Sequence, residues 1–205
     1  MLHILYIIAI IAEAMTAAFS AGRRDMDYMG VIIIAWVTAL GGGTIRNLML
    51  GHYPMTWIEH PSYLIITAFA ALITTVASKR ILKLRKLFLL LDAVGLVVFT
   101  ILGCKLALEM NMDPIIVIIS GMITGCAGGI IRDLLCSDIP LIFQKEIYAS
   151  VSLVTGGVYV FTLPFFGSEL HFATFLAFFV GLTMRLLAVR YDWSLPKFIY
   201  RDEKE

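Results

Sequence analysis

The chain has 205 residues, a net charge of +1, 60% hydrophobic residues and 15% charged residues, with a mean hydropathy of +0.91. Soluble domains carry about 25% charged residues, so this composition excludes an ordinary soluble domain and identifies an integral membrane protein. Its basic residues lie in short connectors, not on a face with interleaved aromatics, which argues against nucleic acid as a partner.

A bilayer core takes about 20 mostly apolar residues as helix, and that length predicts seven spans: Leu2 to Gly22, Met29 to Leu50, Ser62 to Ser78, Leu87 to Leu108, Pro114 to Cys136, Ile147 to Phe166 and Phe172 to Arg190. At its start the first has only His3 and no basic segment, so it reads as a true span, not as a cleaved signal. The connectors are too short for a second domain. Residues 1–190 therefore form one membrane domain, followed by a tail over 191–205.

Lysine and arginine favour the cytoplasmic side of short connectors. Arg23 and Arg24 occupy the first connector, Lys79, Arg80, Lys83, Arg85 and Lys86 the third, and Lys145 the fifth; Arg190, Lys197, Arg201 and Lys204 lie at the C-terminal end. The second, fourth and sixth connectors have neither residue. This pattern predicts an outside N-terminus and a cytoplasmic C-terminus. The same rule accounts for the basic loop at Lys79 to Lys86, which could also meet anionic lipid headgroups. Arg46, Lys105, Arg132 and Arg185 remain within spans; Lys105 and Arg185 are near span ends, where they are expected to snorkel to the headgroups.

The second and fifth spans share a motif. "GGGTIRNLMLGHYP" over 41–54 and "AGGIIRDLLCSDIP" over 127–140 pair Gly42 with Gly128, Gly43 with Gly129, Arg46 with Arg132, Asn47 with Asp133 and Pro54 with Pro140, always 86 residues apart. Upstream, Glu13-Ala14 pairs with Asp92-Ala93 if a small gap is allowed. Each motif is in the second span of a three-span unit, about 2–78 and about 87–166. Three spans reverse the chain's side, so the two units are inverted repeats, a plan shared with transporters whose site lies near the midplane. The seventh span, about 172–190, stands outside this symmetry.

Glycines 41, 42, 43, 128 and 129 permit either a kinked or unwound helix lining a water path or close helix packing. Arg46 and Arg132, three residues beyond Gly43 and Gly129, are expected to point into the gap those glycines leave. An intramembrane arginine needs water or a partner. Depth along the spans matches Arg132 with Asp92 and, less closely, Arg46 with Glu13, while Asn47 and Asp133 could orient their neighbouring arginines. Cys104, Cys126 and Cys136 read as buried free thiols. His3, His52, His60 and His171 form no catalytic set, and the motif lacks the lysine and hydroxyl of a phosphate loop; no enzyme, metal or cofactor is expected.

With "GGGTIRN", "AGGIIRD" and "DAVGL" over 92–96 in a three-plus-three-plus-one plan, the chain resembles bacterial members of the trimeric intracellular cation (TRIC) channel superfamily, in the group whose domain is also called a glycine transporter. That resemblance implies a homotrimer in a bacterial inner membrane. Each subunit would pass a monovalent cation, chiefly potassium, along a path bounded by the kinked second and fifth spans. The Lys-Glu-Val lipid-binding motif of animal members does not carry over, since the similar tripeptide here is Lys145, Glu146 and Ile147.

The residues themselves leave two functions open. Broken helices could offer carbonyls and water to a cation, with the arginines as gates; alternatively, freed amides and guanidiniums could bind the carboxylate of glycine or another small amino acid in a carrier. A scaffold would need neither the repeat nor the arginines.

Overall fold

The structure, a computed structural model, describes residues 2–78, 84–144, 147–166 and 170–194, without the side chains of 2, 166, 170 and 171. Lys79, Arg80, Lys83, Lys145, Lys197, Arg201 and Lys204, used above for topology, lie outside the described residues.

The described residues fold into helices: α1 (Leu2–Gly22), α2 (Tyr28–Leu50), a short α3 (Thr56–Glu59), α4 (Ser62–Ser78), α5 (Leu84–Glu109), α6 (Pro114–Leu135), a 3-10 turn (Leu141–Phe143), α7 (Ala149–Phe166) and α8 (Leu170–Tyr191). Helices α1, α2, α5, α6 and α8 are long and apolar enough to cross a membrane. The third helix of each repeat is shorter, with apolar stretches Ser62–Ser78 and Ala149–Phe165. Seventeen residues of helix rise about 26 Å, a little less than a hydrocarbon core of about 30 Å.

The 86-residue spacing extends well beyond the sequence motif. Asp27 caps α2 by accepting the Gly30 N–H at 2.7 Å, and Asp113 caps α6 by accepting the Ile115 N–H at 2.9 Å. Both turns before these caps use a left-handed residue, Asp25 and Asn111. Both helices end alike: the His52 N–H donates to the Asn47 carbonyl at 2.9 Å, and the Asp138 N–H to that of Asp133 at 2.8 Å. The intervening left-handed positions are Gly51 (φ 66°) and Ser137 (φ 53°), the conformation that a helix-ending turn of this kind requires.

Packing follows the same symmetry. Helix α1 touches α2 and α4 as α5 touches α6 and α7; α2 meets α4 as α6 meets α7; α1 crosses α5, and α2 crosses α6. Helix α8 packs on α5 and α7, and among the described residues no helix takes the corresponding place on the first repeat. Ile65, Phe69, Ile73 and Val76 form an exposed stripe along α4, a surface suited to acyl chains.

Candidate functional site

The two glycine motifs meet where α2 crosses α6. A β-carbon on Gly42 would press on the Thr124 carbonyl oxygen, and one on Gly128 would press on the Thr38 carbonyl oxygen. Thr38 and Thr124 are themselves 86 residues apart, so this is one contact made twice about a pseudo-twofold axis. Their hydroxyls donate back to Ile34 and Ser120 carbonyls at 2.7 and 2.6 Å. Neither helix unwinds: α2 and α6 run as unbroken α-helix through their glycines. Freed backbone groups are therefore not the source of polarity here, because the glycines serve close approach while keeping the helical hydrogen bonds. Gly41 stands against Ile131, 3.3 Å from where its β-carbon would be.

Gly43 and Gly129 are different. The position of a β-carbon on Gly43 is 3.8 Å from Arg46 Nη2, and on Gly129 it is 3.5 Å from Arg132 Nη2 and 3.2 Å from the Tyr148 hydroxyl. The guanidiniums lie over these bare helix surfaces.

Arg132 is fully buried. Its Nε donates to Asp133 Oδ1 at 2.8 Å, and its Nη1 donates to Thr16 Oγ1 at 2.9 Å and to Asp92 Oδ1 at 3.0 Å. Glu13 Oε2 is 3.6 Å from the same Nη1 and 3.1 Å from the Thr16 hydroxyl. Glu13 reaches this site because Gly95 leaves room for its carboxyl, which a β-carbon there would overlap. Asp133 uses its second oxygen to accept the Leu141 N–H at 3.0 Å, tying the arginine to the chain beyond α6.

Arg185 completes the cluster and corrects an expectation. It does not snorkel to the headgroups; it is fully buried, with Nη2 3.9 Å from Asp92 Oδ2 and Cζ 4.7 Å from the centre of the Tyr148 ring. Packing of α8 on α5 and α7 turns this residue inward. Lys105, by contrast, stays partly exposed and pairs with Glu109 at 3.0 Å. The cluster thus holds Glu13, Asp92 and Asp133 against Arg132 and Arg185, one formal negative charge in excess. Among the described residues no group of His, Cys, Asp and Glu side chains is arranged to hold a metal ion.

The cluster reaches an open cavity of about 1290 Å³ through Asp133, and Phe88, Tyr148, Arg23, Arg85 and Asp138 also line that cavity. The Phe88 ring centre is 4.8 Å from the Arg132 Cζ and 5.2 Å from that of Arg23. Arg23 and Arg24 pair with Asp138 at the rim.

Arg46 has different surroundings. It is 7% exposed, and its Nε and Nη2 both donate to Asn47 Oδ1, at 2.9 and 2.6 Å. Tyr6 lies within its electrostatic reach. The spacing of 86 explains the contrast, for Tyr6 is the counterpart of Asp92, and Phe99 that of Glu13. The gapped pairing of Glu13 with Asp92 is thereby replaced: Glu13 leaves its own repeat's arginine and serves the other.

Similarities to known proteins follow the same division. The sequence profile described as glycine transporter matches residues 3–79 and again 89–164, once for each repeat. The UPF0126 inner membrane protein YadS of Escherichia coli (strain K12) is 38% identical, over 90% of this chain and 90% of its own. The UPF0126 membrane protein YvgT of Bacillus subtilis (strain 168) is 37% identical, over 97% of both. Among solved structures, the TRIC trimeric intracellular cation channel orthologue from Rhodobacter sphaeroides superposes with a TM-score of 0.88 at 32% identity, over 93% of this chain and 97% of that one. A prokaryotic TRIC channel in 0.5 M KCl gives 0.87 at 32% identity, over 95% and 98%.

Inverted helical repeats crossing at paired glycines, each with a buried arginine, define an α-helical integral membrane protein of the TRIC fold. The chain belongs to the family described as glycine transporter, within the TRIC channel superfamily.

Proposed function

We propose that this protein is a membrane channel for monovalent cations, chiefly potassium, working as a homotrimer in a bacterial inner membrane. Each subunit carries its own path, with the N-terminus outside and the C-terminus cytoplasmic. The observation that supports this most is the charge balance at Arg132: three carboxylates face two guanidiniums, all buried, so the inner arginine does not repel a cation. The similar solved structures are named as cation channels.

The backbones of α2 and α6 touch at Gly42 and Gly128, so the proposed path runs beside their crossing. Arg46, uncompensated by an acid among the described residues, is the barrier or gate. Gly43, Asn47, Gly129, Arg132 and Asp133 shape the two ends, with Glu13 and Asp92 setting the charge at one of them. Proteoliposomes loaded with potassium test this reading. Efflux balanced by a permeant counter-charge, and lost when a large organic cation replaces potassium, is the expected result.

Arg46 also supports a second reading, a carrier for glycine or another small amino acid, because an unpaired guanidinium suits a carboxylate. Uptake of labelled glycine without potassium efflux would favour it.

A further inference from the structure

We infer that His52 and Glu109 form an acid-operated clamp between the C-terminal end of α2 and the turn that joins α5 to α6. The counterpart of this clamp in the other repeat is closed in the structure. Beyond the C-terminal end of α6, Asp138 pairs with Arg23 at 3.6 Å and with Arg24, whose Nη2 also donates to the Ser137 carbonyl at 3.0 Å. With the spacing of 86, Glu109 stands in the place of Arg23 and His52 in the place of Asp138. An arginine–aspartate pair in one half is thus matched by a glutamate–histidine pair, with the signs exchanged, in the other. The first pair is permanent, whereas the second is complete only when its histidine takes a proton.

The two turns fold alike, so the match is spatial as well as numerical. The Met26 N–H donates to the Ala21 carbonyl at 3.3 Å, and the Met112 N–H to that of Ala107 at 3.1 Å. Met26 packs in the apolar cluster that contains Cys136, and Met112 in the cluster that Leu50, the counterpart of Cys136, also packs against. Each half then passes the tie on to its arginine. The His52 N–H donates to the Asn47 carbonyl and Asn47 Oδ1 holds Arg46, as the Asp138 N–H donates to the Asp133 carbonyl and Asp133 Oδ1 holds Arg132.

His52 has a vacant nitrogen for the pair. Its Nδ1 is buried and, among the described residues, has no hydrogen-bond partner, a state that folded proteins seldom tolerate. Glu109 places Oε1 3.0 Å from Lys105, one turn earlier on α5. That exposed contact is weak and leaves Oε2 for an imidazolium. The other titratable or charged groups around this end are engaged or exposed. Asp113 accepts the Ile115 N–H as the cap of α6, Arg46 donates to Asn47, and the His3 and His60 rings lie 6.3 and 5.2 Å from that of Tyr63; Tyr53 and Glu59 are exposed. Protonation of His52 draws Glu109 to it and fastens the end of α2, and through Asn47 the Arg46 guanidinium, to the α5–α6 turn. The side from which acid acts rests on the orientation proposed above, which puts the clamp outside; the pair itself does not.

A double-mutant cycle in thermal unfolding tests the clamp on the purified full-length protein in detergent. Parent, His52→Asn, Glu109→Gln and the double variant are melted at about pH 5.5 and about pH 8, to either side of the histidine range. Shifts due to other groups, including the lost Lys105 contact, cancel in the cycle. A coupling of about 2 °C is expected at the acid pH and none at the alkaline one. The stabilisation belongs to the charged histidine, so it is complete at low pH and fades as pH rises through the range in which histidine loses its proton. A cycle built on His52→Lys, charged at both pH values, should show coupling at both. No coupling between His52 and Glu109 at the acid pH, or equal coupling at the two, would overturn the inference. In proteoliposomes, acid on the outer side should slow potassium efflux through the parent and not through His52→Asn; efflux that acid leaves unchanged would overturn the link to Arg46. A parent that passes no potassium at either pH would sink the conduction reading alone, because the melting cycle does not depend on it.

Discussion

Arg132 donates to Asp92 across 3.0 Å, and the residue that takes the place of Asp92 in the first repeat is Tyr6. One fold is therefore built twice with opposite electrostatics: an acid-rich cage around the arginine near the C-terminal end of α6, and a neutral, aromatic surround for the arginine near the C-terminal end of α2. The extra helix strengthens the difference by sending Arg185 into the second cage alone.

Removing Arg132 should be severe. Arg132→Met leaves Glu13, Asp92 and Asp133 buried with Arg185 as their remaining guanidinium, and breaking a buried pair costs about 3–5 kcal/mol. The expected outcome is a low yield of monodisperse protein and a depressed melting temperature. Adding Glu13→Gln should recover part of the loss, read by thermal unfolding in the same detergent.

The glycines should separate into two classes by alanine substitution. Gly42→Ala and Gly128→Ala place a methyl against backbone carbonyls of Thr124 and Thr38, so α2 and α6 must move apart, at about 1–3 kcal/mol each for overpacking. Gly43→Ala meets only the far end of the Arg46 side chain, at 3.8 Å, and should fold like the parent. Thermal melts of the three variants side by side check this.

Ser137 holds the left-handed position that Gly51 holds in the first repeat. A side chain there costs roughly 1 kcal/mol that glycine does not. Ser137→Gly should therefore raise stability by up to about 1 kcal/mol. It keeps the backbone carbonyl that accepts from Arg24 Nη2 at 3.0 Å, and a melting shift of the opposite sign would show that the serine hydroxyl has a role of its own.

Much of this architecture was legible in the sequence, because hydropathy measures span length and the motif carries its own register. The same spacing of 86 accounts for the caps at Asp27 and Asp113 and for the turn residues Gly51 and Ser137. Two features were not legible. Depth along the spans matches Glu13 only loosely with its own repeat's arginine, and it crosses instead to Arg132, since α1 packs on α5 and Gly95 opens the space; no periodicity within α1 encodes that neighbour. Arg185, a few residues from the end of α8, looked placed to reach the headgroups. Its inward direction comes from the rotation of α8 against α5 and α7, which a helix hydrophobic on most sides does not specify. The glycine runs signalled backbone exposure as readily as close packing, and only the helix crossing decides for packing at Gly42 and Gly128.

The most direct test of the central claim is planar-bilayer recording of the purified protein across a potassium chloride gradient, with Arg46→Ala recorded beside it. The account predicts unitary currents that reverse near the potassium equilibrium potential and a higher open probability or conductance in Arg46→Ala, where the uncompensated charge is gone. Silent bilayers from correctly inserted parent protein, or currents that reverse near the chloride potential, would contradict it.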